Sequence, residues 1–170
     1  ISVSDKSTLE VKNGSYNANG ESGIAVSGES KAKISSSDVN SNAKYGICIA
    51  EKSTLTIENC NTNSNGDNGI SISASSGKIT GGQSNANTGH GVSLSDVSAV
   101  DVTGMAISEN HEYGICVADS TLNSGVADNQ ANQITANYWS GISATGAKTN
   151  IVMSGNTITG NGTNPKQSAD

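Results

Sequence analysis

NAKYGICIAEKSTLTI, residues 42–57, carries two short alternating runs, Ile47-Cys48-Ile49 and Leu55-Thr56-Ile57, which read as strands. Near copies of the stretch lie on both sides of it, and this recurrence decides the fold. Aligned on a Gly-Ile or Gly-Val pair, the chain gives Gly23-Ile24, Gly46-Ile47, Gly69-Ile70, Gly91-Val92, Gly114-Ile115 and Gly141-Ile142, at steps of 23, 23, 22, 23 and 27 residues. A fixed period of this size predicts a solenoid.

Further columns keep the same register. An asparagine stands four residues before each glycine: Asn19, Asn42, Asn65, Asn87, Asn110 and Asn137, with Asn161 continuing the series. A second apolar pair follows the first, as Leu9/Val11, Ala32/Ile34, Leu55/Ile57 and Val100/Val102. A third column holds Val39, Ile107, Ile134 and Ile158, with Tyr16, Thr62 and Ser84 in the weaker coils. The order of columns never mirrors itself, so successive hairpins are excluded. The pattern predicts an all-β solenoid of about seven coils of 22–23 residues with three short strands per coil. In-register stacking then gives three parallel sheets around a narrow core, with equivalent side chains about 4.8 Å apart.

The punctuation has physical causes. Glycine is expected to supply positive φ at the corner, while stacked asparagine amides satisfy backbone groups that a turn leaves unpaired. The absence of Phe fits a core with room for one aliphatic layer per coil. The coil with Gly82 and Ser84 in place of aliphatics is expected to be the one most prone to fraying.

Serine (28), asparagine (21) and glycine (20) dominate the 170 residues, a composition that would suit disorder if the order of residues were random. Nine lysines, no arginine and 15 acidic residues give a net charge of -6 without basic runs, which argues against a nucleic-acid partner. No apolar run is long enough for a membrane span. Cys48, Cys60 and Cys116 show no metal or redox spacing and are expected to be small packing residues.

The N-x-x-x-G-[IV]-x-[VIL] coil resembles the right-handed parallel β-helix repeat of pectate lyases, polygalacturonases, alginate epimerases and phage tailspikes. The resemblance implies a right-handed parallel β-helix over residues 1–163, followed by a polar tail over 164–170. Ile1-Ser2-Val3-Ser4-Asp5 matches Val92-Ser93-Leu94-Ser95-Asp96, so the chain is expected to be part of a longer solenoid. Its exposed strand edges suggest end-to-end or lateral self-association. A secreted or cell-surface location, extracellular or periplasmic, is expected with this class.

Chemistry concentrates in one turn. The three positions between ladder asparagine and glycine hold four of the five aromatic residues and both histidines. Tyr45, Asn68, His90, Tyr113, Tyr138 and Trp139 are the candidate carbohydrate-binding residues, because flat rings and amides suit a sugar chain lying along the axis. The same bulk could instead shield the turn. Catalytic patterns are poor: the resemblance to lyases implies clustered aspartates for calcium and an arginine base, yet arginine is absent and Asp38, Asp96, Asp101, Asp119 and Asp128 are scattered along the chain. The best catalytic pair is Lys44 as a base beside Asp67. The leading expectation is therefore a non-catalytic scaffold or polysaccharide-binding module with no cofactor or metal, its glycan neutral or acidic. The alternatives are a fragment of a uronate lyase or epimerase, for which calcium would be relevant, and a purely structural rod or adhesin stalk.

Overall fold

A computed structural model describes residues 1–125 and 130–162. Asp128, in the insertion that lengthens one coil, and the expected tail 164–170 lie outside the described residues. The chain is an all-β parallel solenoid of about seven turns.

The Gly-Ile strands form one seven-stranded parallel sheet, from Ser2–Val3 to Ile142–Thr145. Its register places Ile24, Ile47, Ile70, Val92, Ile115 and Ile142 directly over one another. The second apolar pair forms another parallel ladder, in which Leu9, Ala32, Leu55 and Gly77 align, as do Val11, Ile34, Ile57 and Ile79. Alternation along each strand sends these residues inward and their neighbours to solvent. Ile24, Ile34, Ile47, Ile49, Ile70 and Ile72 are all buried.

Three sheets are expected from the sequence; two are observed. Strands Thr54–Asn61 and Ser76–Gln83 each run from the second column into the third without a break, joining both columns in one sheet. The corner there is turned by residues in the left-handed region, Asn59 at φ 51° and Gly81 and Gly82 at 65° and 85°, while ladder bonds resume on either side. The coil expected to fray is thus among the most continuously paired. Ser84 fits its core because its hydroxyl donates to Gly91 O at 2.7 Å and accepts from Asn87 Nδ2 at 3.3 Å.

The asparagine ladder has six rungs. In each, the backbone N–H and side-chain Nδ2 of one asparagine both donate to Oδ1 of the next, as for Asn42 to Asn65 (2.9 and 3.1 Å) and Asn87 to Asn110 (3.0 and 2.9 Å). The rungs begin at Asn19 and end at Asn161, and Asn42, Asn65, Asn87, Asn110 and Asn137 are fully buried.

Two more ladders escaped the sequence reading although the same 22–23-residue spacing carries them. Ser7, Ser30, Ser53, Ser75, Ser98 and Ser120 form a chain in which each backbone N–H donates to the next serine Oγ at 3.0–3.2 Å. An outer asparagine row, Asn17, Asn40, Asn63 and Asn85, runs in the opposite sense: each N–H donates to Oδ1 of the asparagine in the coil before.

The glycines of the Gly-Ile pairs require a correction. None of Gly23, Gly46, Gly69, Gly91, Gly114 or Gly141 has positive φ. They are glycine because there is no space: a Cβ on Gly114 would lie 2.5 Å from Ile134 Cγ2, 2.6 Å from Gly141 O and 2.8 Å from Asn137 Nδ2. The ladder asparagine and the third apolar column press on the backbone at this point. Positive φ falls instead on other corners, including the residue before each of the first six ladder asparagines: Ala18, Ser41, Ser64, Ala86, Glu109 and Ala136, at 54–58°.

One left-handed position is occupied poorly. Val97 has φ 65° and is 64% exposed, a conformation that costs an L-residue about 1–2 kcal/mol and suits a β-branched one least. Val97→Gly should raise stability by about 0.5–1 kcal/mol after the added unfolded-state entropy is subtracted, measured as an upward shift in urea midpoint.

The cysteines divide. Cys60 is buried in the core as expected, whereas Cys48 and Cys116 alternate outward on the first sheet, so they are not core residues. All are free thiols, and burial pushes each thiol pKa up.

Candidate functional site

The turn between ladder asparagine and glycine is wired coil to coil by its backbone. Gly46, Gly69, Gly91 and Gly114 N–H groups donate to the carbonyls of Asn68, His90, Tyr113 and Ser140, which fixes Tyr45, Asn68, His90, Tyr113 and Ser140 as one column. A second column runs Glu21, Lys44, Asp67 and Gly89, with Glu112 and Trp139 joined in the same way by Trp139 N–H to Glu112 O at 3.1 Å. Side chains chosen by the sequence at these positions are therefore displayed at the coil spacing whether or not they touch.

Several do touch. His90 stacks on Tyr113 with ring centroids 5.3 Å apart, and Tyr113 and Trp139 make a T-shaped contact with centroids 4.9 Å apart. Beside them His111 stacks on Tyr138 at 4.8 Å with the planes 8° apart. These five rings occupy three successive coils. A furrow of about 300 Å³, lined by Tyr113, Trp139, Ser140 and Gly162, opens at the end of the run, and Trp139 is 38% exposed.

Not every candidate joins this surface. Asn68 is buried, and its Oδ1 accepts the His90 N–H at 2.8 Å, so it is a rung of the turn rather than a free contact. Its short amide reaches backbone before it reaches solvent. Tyr45 is half-buried and lies two coils from His90, outside the ring contacts; burial first, then the field of Asp67, raises its phenol pKa. His111, which was not singled out as a binding candidate, belongs to the second stack. Its position one period before Tyr138 was the available signal.

The electrostatics of the turn are specific. Lys44 pairs with Glu21 at 2.6 Å, not with Asp67, and that hydrogen bond and charge raise its pKa. A lysine held protonated in this way is a poor base, so the Lys44 and Asp67 pair does not assemble. Asp67 Oδ1 accepts the N–H of Asn68 at 2.8 Å. Glu112 Oε2 lies 3.1 Å from His90 Nδ1, which the Tyr113 N–H also approaches at 3.3 Å. A single nitrogen cannot donate to one and accept from the other at once; the carboxylate is nearer and the stronger partner, so the tautomer with Nδ1 protonated fits. Burial lowers the pKa of His90 against the opposing pull of Glu112 and Asp67, which leaves the ring neutral. Among the described residues, no three His, Cys, Asp or Glu side chains are grouped to hold a metal ion. No helix there is long and apolar enough to cross a membrane.

A family model described as a right handed beta helix region matches residues 1–131. No curated protein and no solved structure matches the chain.

Proposed function

The chain belongs to the right-handed β-helix family, and on that premise we propose that it is a non-catalytic β-helix module, secreted or on a cell surface, that binds a polysaccharide along its aromatic turn. The observation that carries this reading is the contiguous run His90–Tyr113–Trp139, with His111–Tyr138 alongside. Rings held on a rigid ladder lose little conformational freedom on binding, and their faces suit the apolar faces of sugars. Trp139, partly exposed where it lines the furrow, gives such a chain a place to begin. A lyase or epimerase has less support, because the lysine offered as its base is held by Glu21.

Trp139 is the only tryptophan, so its emission reports on this turn alone. Titration with a panel of neutral, acidic and basic oligosaccharides should shift that emission saturably for at least one of them. Trp139→Ala should weaken that ligand about tenfold, or roughly 1.4 kcal/mol, with little change in melting temperature. Silence across the panel would leave a structural rod as the better reading.

A further inference from the structure

Carboxylates flank the aromatic run. Asp67 lies one coil before His90 in the solenoid and Glu112 one coil after it, about 10 Å apart along the axis at ~4.8 Å per coil. Gly89 stands between them in the same column and is buried, with Asp67 Oδ1 2.9 Å from where a Cβ on it would lie. The ion pairs among the described residues are Lys6–Glu29 and Lys44–Glu21, with the His90–Glu112 contact made by a neutral ring. The one lysine of this turn is therefore already engaged; Glu112 touches the His90 ring, the field of Asp67 reaches the same ring, and neither carboxylate has a lysine partner among the described residues. Their field extends over the adjoining outer face of the first sheet. There, after burial, Asp67 raises the Cys48 thiol and Glu112 raises the Cys116 thiol.

We infer that the chain bound here is one bearing protonated amino groups, such as a glucosamine polymer, and not a uronate. The inference rests on the polysaccharide-binding reading above and adds the ligand's charge. Ammonium groups spaced along such a chain would meet Asp67 and Glu112 in turn, and Trp139, one coil beyond Glu112, attracts cations through its ring quadrupole. The carboxylate of a uronate would meet the same two groups with like charge and nothing to offset it.

The test titrates the whole chain with hexamers of glucosamine, N-acetylglucosamine and galacturonic acid in slightly acidic buffer, following Trp139 emission at low and high salt. The glucosamine hexamer should bind about tenfold more tightly than its acetylated form. The advantage should shrink as salt rises, and galacturonate should bind weakest. Asp67→Asn with Glu112→Gln keeps the shapes and hydrogen bonds but removes both charges, and should bring the ratio of amine to acetylated affinity close to one. Equal or tighter binding of the acetylated chain, tighter binding of galacturonate, or an amine preference unchanged in the double variant would each overturn the inference while leaving glycan binding in place. No emission change with any of the hexamers would remove the glycan reading and the inference together.

Discussion

Asn65→Leu is expected to lower stability by about 3–5 kcal/mol. Asn65 is 1% exposed, and its Oδ1 is the acceptor for both the backbone N–H and the Nδ2 of Asn42, at 2.9 and 3.1 Å. Leucine is close in size but cannot accept, so two donors in a dry site lose their partner. The rung on the other side also weakens, because Nδ2 no longer reaches Asn87 Oδ1 at 3.0 Å. In a domain of this size the loss corresponds to a melting temperature lower by roughly 10 °C or more, readable by circular dichroism. Asn63→Leu provides the contrast. Asn63 also serves a neighbouring coil, accepting the Asn85 N–H at 2.9 Å, but it sits on the outer, partly exposed row where water can replace it. Its substitution should cost no more than about 1 kcal/mol. Equal losses at the two positions would mean that the inner ladder gains nothing from its burial.

Gly114→Ala should destabilise by about 3 kcal/mol, although alanine adds one methyl group at a backbone conformation open to any residue. That methyl would arrive 2.5 Å from Ile134 Cγ2, 2.6 Å from the Gly141 carbonyl and 2.8 Å from Asn137 Nδ2. The last two belong to the backbone and the ladder of the next coil, so relief would require the coils to move apart and stretch the bonds that stack them. Gly20→Ala is the matching control, since nothing lies within 4 Å of a Cβ there. It should be neutral or slightly stabilising through the unfolded state. If both alanine variants melted together, crowding would not be the reason for glycine in the Gly-Ile pair.

These two sites show how far the sequence could be read. Asn65 was legible because it recurs at the coil period, and a ladder follows from recurrence alone. Gly114 was legible as a required glycine but for the wrong reason. Its φ and its neighbours depend on how closely the third apolar column approaches the first, a distance that no spacing in the sequence encodes. The serine ladder from Ser7 to Ser120 carries the same periodic signal as the asparagines, but the abundance of serine throughout the chain masks it. The outward face of Cys48 and Cys116 follows from alternation with Ile47 and Ile115, whereas their partial burial depends on neighbours that only the structure supplies.

In the turn, the sequence located the side chains and the structure sorted them. Tyr45, Asn68, His90 and Tyr113 share one column, as the period required, yet Asn68 folds onto the His90 N–H while His90, Tyr113 and Trp139 reach one another. Lys44 could have paired with an acid on either side and took Glu21. Periodicity by itself determined the coil, its parallel stacking and the identity of each column, because a repeating backbone places equivalent residues at equivalent heights. The tertiary structure alone decided contacts within and between columns, since these depend on side-chain length, rotamer and burial, which differ from coil to coil even where the backbone does not.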